Sequence, residues 1–155
     1  MPQWVVFTSN FKMKKLLLSL VLLPVLALAQ KTPVGVTYDA KIVRVSDGDT
    51  IVIAAPYLPL PLKPQLAVRI FGVDTPEKGH RAQCAAEAQK GEQASEWTKK
   101  LVASGKTFQV TLYAWDKFGG RVLGDITVDG KSVRQGLIAA GLAREYYGDA
   151  KQSWC

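Results

Sequence analysis

The chain has 155 residues, with 20 Lys or Arg, 13 Asp or Glu, two Cys and one His. The formal net charge of +7 suits an anionic partner, although a basic charge is also common among secreted proteins of other kinds. Two cysteines and one histidine exclude a Cys-rich zinc site, and the single histidine excludes acid–base catalysis by a pair of histidines.

The N-terminal segment has the composition of an export signal. Residues 13–29 contain a positively charged start, an apolar run and a small-residue end that suits signal peptidase. We expect residues 1–29 to be a leader, with residues 1–12 as a non-native start, because Met13 begins the signal itself. The alternative is an N-terminal membrane anchor, although the apolar run is short for a bilayer span.

Residues 30–155 have the length of a single domain with one modest core. We predict that this domain is secreted or periplasmic after the leader is cleaved, is a monomer, and has no stable association with a membrane. Because an exported protein meets an oxidising compartment, Cys84 and Cys155 are expected to form a disulfide. Two free thiols, or a bond to a partner chain, are the alternatives.

The predicted elements begin with a hairpin over residues 40–53, in which an Asp-Gly pair forms the turn. Four prolines make residues 55–65 an extended loop, because proline cannot donate a hydrogen bond within a central strand. A third strand follows over residues 66–73 and is apolar except for Arg69.

The second half of the chain contains two helices and two strands. A long helix is predicted over residues 84–102, which are rich in Ala, Glu, Gln and Lys and contain no Pro. Alternating apolar residues predict a strand over 107–113, and a fifth strand is predicted over 121–128, where an Asp-Gly turn ends it. Residues 132–140 place apolar side chains on one helical face, and Gly141 ends that helix. This pattern allows several small β-barrels or α+β folds.

Acidic residues occur at two strand ends. Asp47 and Asp49 lie two apart, so an extended chain directs both carboxylates to one face. Taken alone, the pair is explained by a hairpin turn. Asp74, however, ends a strand next to the one that carries Asp49, which allows the two carboxylates to meet. Two carboxylates, a backbone carbonyl and waters would make an oxygen site suited to calcium.

Glu77 and two arginines also have ordinary explanations when each is taken alone. An acid after Thr and Pro is typical of a helix N-terminus, which accounts for Glu77 without catalysis. Arg69 fits the polar face of a strand, and Arg121 fits a solvated strand edge. Their joint occurrence with the acidic pairs is what a metal-dependent phosphodiesterase needs.

Three ordered motifs carry these residues. They are Asp47-Gly48-Asp49-Thr50, the segment from Arg69 to Val73-Asp74-Thr75-Pro76-Glu77, and Asp116-Lys117-Phe118-Gly119-Gly120-Arg121. On these motifs, the chain resembles the thermonuclease, or staphylococcal-nuclease-like, family over roughly residues 40–147. The resemblance implies a β-rich α+β fold, namely a five-stranded OB-type Greek-key barrel with one long helix after the third strand and a short C-terminal helix.

The resemblance also implies a role for each site residue. One Ca²⁺ would be held by the side chains of Asp49 and Asp74 and by the carbonyl of Thr75, with Asp47 behind these ligands. Glu77 would orient the attacking water or accept its proton. Arg69 and Arg121 would grip the phosphate with their guanidinium groups. Lys117 would contact a terminal phosphate, and Tyr146 or Tyr147 would pack on a nucleotide.

The implied function is that of an exported calcium-dependent endonuclease that hydrolyses DNA and RNA with low sequence specificity and leaves 3′-phosphate ends. One alternative is a noncatalytic nucleic-acid-binding OB-fold module, and another is a secreted structural domain that binds calcium for stability. The chain departs from the family pattern at Phe118, which replaces a tyrosine, at one extra glycine before Arg121, and in a longer proline loop.

Overall fold

The predicted hairpin forms part of the main sheet of the computed structural model, which describes residues 33–155. The expected leader, residues 1–29, lies outside the described residues. In chain order the strands and helices are β1 (Val36–Asp39), β2 (Ile42–Asp47), β3 (Thr50–Ala54), β4 (Gln65–Ile70), β5 (Val73–Asp74), α1 (Ala85–Ser104), β6 (Phe108–Trp115), β7 (Arg121–Val128), β8 (Lys131–Ser132), α2 (Val133–Ala139) and β9 (Arg144–Glu145).

Two sheets contain these strands. The larger has the order β1-β6-β7-β4-β3-β2, with β8 attached to β7. Its neighbouring strands are antiparallel except for β4 and β7, which run parallel. Strands β5 and β9 form the second sheet, which pairs Asp74 with Arg144. Residues 33–155 therefore have the β-rich α+β fold that was predicted, with two α-helices.

Apolar side chains from the long strands and from α2 form the core. The largest fully buried side chains include those of Ile51, Val68, Ile70, Ile126 and Leu137. Strand β7 alternates half-buried and buried positions along its whole length, as its sequence predicts. This packing fixes the ends of the strands that carry the three motifs.

The predicted third strand is shorter than expected. Strand β4 ends at Ile70, and Gly72 has a φ of 76°, so the chain turns before Val73 and Asp74 pair with β9. Strands β1, β5, β8 and β9 are absent from the sequence prediction. The structure therefore contains more strands within residues 33–155 than the five that were predicted.

Both helices lie close to their predicted positions and begin at a capping residue. The sulfur of Cys84 accepts the amide of Glu87 at the start of α1, and the hydroxyl of Ser132 accepts the amide of Gln135 at the start of α2. Neither helix, in the part of the chain that the structure describes, is long and apolar enough to cross a membrane.

Candidate active site

A pocket of about 550 Å³ gathers residues from all three motifs. The predicted site residues that line it are Asp47, Asp49, Arg69, Thr75, Glu77, Lys117, Arg121, Tyr146 and Tyr147. Asp74 does not line the pocket directly, but it forms an ion pair with Lys151, which does. The fold thus brings together the hairpin turn, the β4–β5 segment, the β6–β7 loop and the segment after β9.

Arg69 is the charged residue of strand β4. Its ionic contact and its hydrogen bond explain why a charge occurs at this position. The strand register places it opposite Thr50, next to Asp49. Its Nη2 lies 3.4 Å from Asp49 Oδ2 and donates to the Val73 carbonyl at 3.1 Å. Because only 14% of the side chain is exposed, the guanidinium is oriented by a carboxylate and a carbonyl rather than by solvent.

Asp74 is buried, and each of its carboxylate oxygens has a neighbouring N–H group. The indole Nε1 of Trp154 donates to Oδ2 at 3.0 Å. The ammonium of Lys151 lies 2.6 Å from Oδ1 and 4.0 Å from Oε1 of Glu77. Burial alone would lower the pKa of Lys151, but the hydrogen bond and charge of Asp74 outweigh it and hold that pKa above its ordinary value.

Asp47 and Glu77 share a cationic partner at the pocket. Arg81 places Nη2 3.2 Å from Asp47 Oδ1 and Nε 3.4 Å from Glu77 Oε2. The ammonium of Lys78 lies 3.2 Å from the same Asp47 oxygen. Burial alone would lower the pKa of Arg81, but the hydrogen bond and charge of Asp47 raise it. Asp47 is therefore tied to two cations, whereas 39% of the Glu77 side chain remains exposed to water.

Glu87 positions the segment that carries Glu77, although none of the three motifs includes it. Its buried carboxylate accepts the backbone amides of Glu77 at 3.2 Å and Gln83 at 2.7 Å. An acid three residues after the capping residue Cys84 indicates a bond to an amide at the helix start, but no sequence pattern indicates the contact with Glu77. Gly91 lies so close to the Glu77 carbonyl that a Cβ there would collide with it.

Arg121 is held by Asp116 at the start of β7. Its Nε and Nη2 donate to Asp116 Oδ2 at 2.9 and 2.6 Å. Burial alone would raise the pKa of Asp116, but the hydrogen bond and charge of Arg121 outweigh it and hold that pKa below its ordinary value. Gly119 and Gly120 both have a φ of 70°, so the extra glycine is accommodated in a turn that needs left-handed residues.

Aromatic rings also line the pocket. Phe118 and Trp115 are 78% and 67% exposed, and the Lys117 ammonium lies 5.0 Å from the Phe118 ring centroid. Tyr146 and Tyr147 line the same pocket, and Tyr147 is 40% exposed. Exposed rings beside cations form the kind of surface on which nucleotide bases stack.

The acidic residues fit a hard cation bound by oxygen. Asp49 and Asp74 offer carboxylates and Thr75 offers a backbone carbonyl, which are ligand types that calcium prefers. The Lys151 ammonium forms an ion pair with Oδ1 of Asp74, so a metal ion bound by this oxygen would have to replace it. Within residues 33–155 no three His, Cys, Asp or Glu side chains cluster as a metal site, so the carbonyl and waters would have to complete the coordination.

Comparison with known proteins identifies the family. The family profile described as "Staphylococcal nuclease homologue" matches residues 67–153. This chain belongs to the staphylococcal nuclease homologue family. The matched range of this nuclease homologue includes Arg69, Glu77 and Arg121, whereas the Asp47–Asp49 turn precedes it.

Three bacterial relatives are described as endonucleases. An uncharacterized endonuclease of Escherichia coli is 34% identical over 107 residues, which cover 68% of this chain and 60% of that protein. Endonuclease YncB of Bacillus subtilis (strain 168) is 39% identical over 120 residues, which cover 76% of this chain and 51% of that protein. The SPbeta prophage-derived endonuclease YokF of the same strain is 42% identical over 82 residues, which cover 52% of this chain and 27% of that protein. The chain thus spans only part of the length of these relatives.

In this staphylococcal nuclease homologue, two contacts to Asp74 come from residues that sequence reasoning did not connect with the site. Trp154 lies 80 positions from Asp74 in the sequence, and Lys151 lies three residues before Trp154. No short-range pattern links either residue to the acidic motif, because the folded chain alone brings them together.

Proposed function

We propose that this chain is an exported calcium-dependent endonuclease, which hydrolyses phosphodiester bonds of DNA and RNA with low sequence specificity and leaves 3′-phosphate ends. The observation that carries the proposal is the convergence of Arg69, Glu77 and Arg121 on one pocket with Asp49. The endonuclease descriptions of the relatives support the same reaction class.

Two guanidinium groups can offset the negative charge of the phosphodiester during the reaction. A phosphodiester is anionic and repels the attacking water, and negative charge on its oxygens grows toward the transition state. Arg69 and Arg121 are each oriented by one carboxylate, and their remaining N–H groups can donate to phosphate oxygens. Stabilisation that increases along the reaction coordinate raises the rate.

The acidic residues divide into metal ligands and a group that acts on water. Asp49, Asp74 and the Thr75 carbonyl would hold one Ca²⁺, and Asp47 supports the turn behind them. Bound calcium supplies positive charge at the phosphate. Glu77, whose side chain is partly exposed, orients the attacking water or takes up its proton.

We infer in addition that the main sheet closes into an OB-type barrel. Strands β1 and β2 lie at the two ends of the strand order, yet only Ala40 and Lys41 separate them in the chain. The Ala40 amide donates to the Phe108 carbonyl at 2.8 Å, and the Lys41 carbonyl accepts the Ala54 amide at 2.8 Å. The connection therefore bonds to both β6 and β3, which supports closure.

Lys117, Tyr146 and Tyr147 are the proposed contacts to nucleic acid, beside the exposed rings of Trp115 and Phe118. Single strands and frayed ends present free bases to such rings, whereas the bases of an intact duplex stack on each other. Every base has a flat face, so stacking contacts impose little sequence preference.

The proposal of export rests on the expected leader and on the two cysteines. A disulfide joins Cys84 and Cys155, which supports an oxidising compartment, because such bonds are rare in the cytosol. A secreted or periplasmic monomer without stable membrane association remains part of the proposal.

The test of the activity compares cleavage of denatured DNA and RNA by the purified protein in calcium and in chelator. Wild type should cleave only with calcium. Glu77→Gln and Arg121→Ala should each lower kcat by about two to three powers of ten, because each removes a group that acts in the transition state. Arg44→Ala and Glu96→Gln, which change exposed residues outside the pocket, are the matched controls and should retain wild-type rates.

Other outcomes would contradict the proposal in distinct ways. Nucleic-acid binding without calcium-dependent cleavage would favour the noncatalytic module. Calcium-dependent melting without affinity for nucleic acid would favour the structural domain. Equal rates for wild type, Glu77→Gln and Arg121→Ala would refute the assignment of the site.

A further inference from the structure

The C-terminal tail, residues 149–155, follows β9 and is exposed at every position except Trp154. Besides the contacts of Lys151 and Trp154 with Asp74, two links tie it to the domain. Cys155 forms the disulfide with Cys84, the capping residue of α1, and the Ser153 carbonyl accepts Arg144 Nη1 at 2.9 Å. A terminal segment that buries little surface keeps its position only through such links.

Trp154 is the half-buried residue of this tail, and its ring contacts two cations. The Arg144 guanidinium carbon lies 3.8 Å from the ring centroid, and the Lys90 ammonium lies 4.8 Å from it. The closer of the two contacts, with Arg144, favours one orientation of the indole. In that orientation the indole N–H donates to Oδ2 of the buried Asp74 at 3.0 Å.

We propose that Trp154 is a positioning residue of the calcium site, an inference that rests on the proposed function. The indole occupies Oδ2 of Asp74, so calcium would bind at Oδ1 in place of the Lys151 ammonium, which lies 2.6 Å from that oxygen. Metal affinity falls when the outer hydrogen bond of a ligand is removed, because that bond fixes the ligand's orientation. The Cys84–Cys155 disulfide holds the tail, and therefore the indole, in place.

The competing explanation is that Trp154 only covers surface beneath the tail. Its loss would then lower stability and leave the calcium Kd unchanged. A direct measurement of calcium binding separates the two explanations, and it needs neither substrate nor catalysis.

Calcium binding to the purified protein is measured by isothermal titration calorimetry without nucleic acid. Trp154→Phe keeps an aromatic ring but lacks the indole N–H, and its calcium Kd should rise about 10- to 100-fold. Lys90→Met removes one cation from the ring and keeps the N–H, and its Kd should stay close to that of wild type. Melting temperatures in chelator verify that both variants fold.

A double-mutant cycle tests the contribution of the disulfide. Replacing Cys84 and Cys155 together by Ser removes the bond and leaves a capping hydroxyl at α1, and it should weaken calcium binding. Adding Trp154→Phe to that pair should cause little further loss, because both changes act through one hydrogen bond. Full additivity of the two changes, or a wild-type Kd for Trp154→Phe, overturns the proposal.

Failure of the inference is distinguishable from failure of the proposed function. If wild type binds no calcium, the cofactor assignment itself is wrong and Trp154 has no calcium site to position. If wild type binds calcium and Trp154→Phe binds it equally well, only the role of Trp154 is wrong. If Trp154→Phe does not fold, the Cys84→Ser/Cys155→Ser pair decides: a weakened Kd supports the inference and an unchanged Kd overturns it.

Discussion

At the scale of single residues, a carboxylate orients each arginine of the pocket. Asp49 lies 3.4 Å from Arg69, and Asp116 accepts two hydrogen bonds from Arg121. A guanidinium has five N–H donors, so one carboxylate leaves others for a phosphate. Each carboxylate reduces the local positive charge but fixes the direction of the remaining donors. Fixed donors are what stabilise a transition state, so Asp116 should contribute to the rate through Arg121.

Replacing Asp116 by Asn tests this contribution. Because the guanidinium remains but loses its charged partner, kcat/KM on denatured DNA should fall about 10- to 100-fold, which is less than the loss expected for Arg121→Ala. Asp39→Asn, a change of an exposed acid on β1, is the matched control. An Asp116→Asn variant with wild-type kcat/KM would show that Arg121 needs no partner.

Asp116 should also make stability depend on pH. Burial alone would raise its pKa, but Arg121 holds that pKa below the ordinary 3.8. The ionised carboxylate therefore stabilises the fold above the ordinary pKa, and this contribution is lost as pH falls through the lower folded value. Urea unfolding in chelator should show a stability difference between wild type and Asp116→Asn that is largest near neutral pH and shrinks in acid. A difference that stays constant with pH would contradict this assignment.

At the scale of elements, α1 connects the two acidic segments. The Thr98 hydroxyl donates to the Gly48 carbonyl at 2.8 Å, which fixes the hairpin turn against the helix. Glu87 accepts the Glu77 amide, and Gly91 allows the Glu77 carbonyl to approach the helix closely. One rigid helix therefore sets the position of the turn relative to Glu77.

Gly91→Ala should destabilise the protein, against the usual preference for Ala in helices. At a solvent-facing helix position the change stabilises by about 1 kcal/mol, because Gly has the greater backbone entropy. Here the added Cβ collides with the Glu77 carbonyl, so we expect a loss of about 1–3 kcal/mol by urea unfolding and a lower kcat. Gln93→Ala, at an exposed position of the same helix, is the control. Stabilisation by Gly91→Ala would mean that the close approach is absent in solution.

At the scale of the whole molecule, the sequence predicted the features that local patterns encode. The predicted bounds of β7 and α1 lie close to the observed ones. Strand β1 was missed because its four residues are at the lower limit of length for a period-two pattern. The two-residue strands β5 and β9 are too short for a pattern. Most charged residues of the three motifs meet in the pocket, whereas Asp74 does not line it, and the contact of Trp154 with Asp74 depends on the path of the entire chain.

Whether the main sheet closes into a barrel, as proposed, is the whole-molecule feature that sequence patterns determine least, and amide hydrogen exchange can test it. If the sheet closes through Ala40 and Lys41, the amides of Ala40 and Ala54 should be protected, because both donate across the junction. Their protection, measured by NMR, should approach that of the Ile70 amide, which donates to Asp49 between central strands at 2.8 Å. In an open sheet the same junction would fray. Exchange of the Ala40 and Ala54 amides at the rate of the proline loop, with Ile70 still protected, would therefore show that the barrel does not close there.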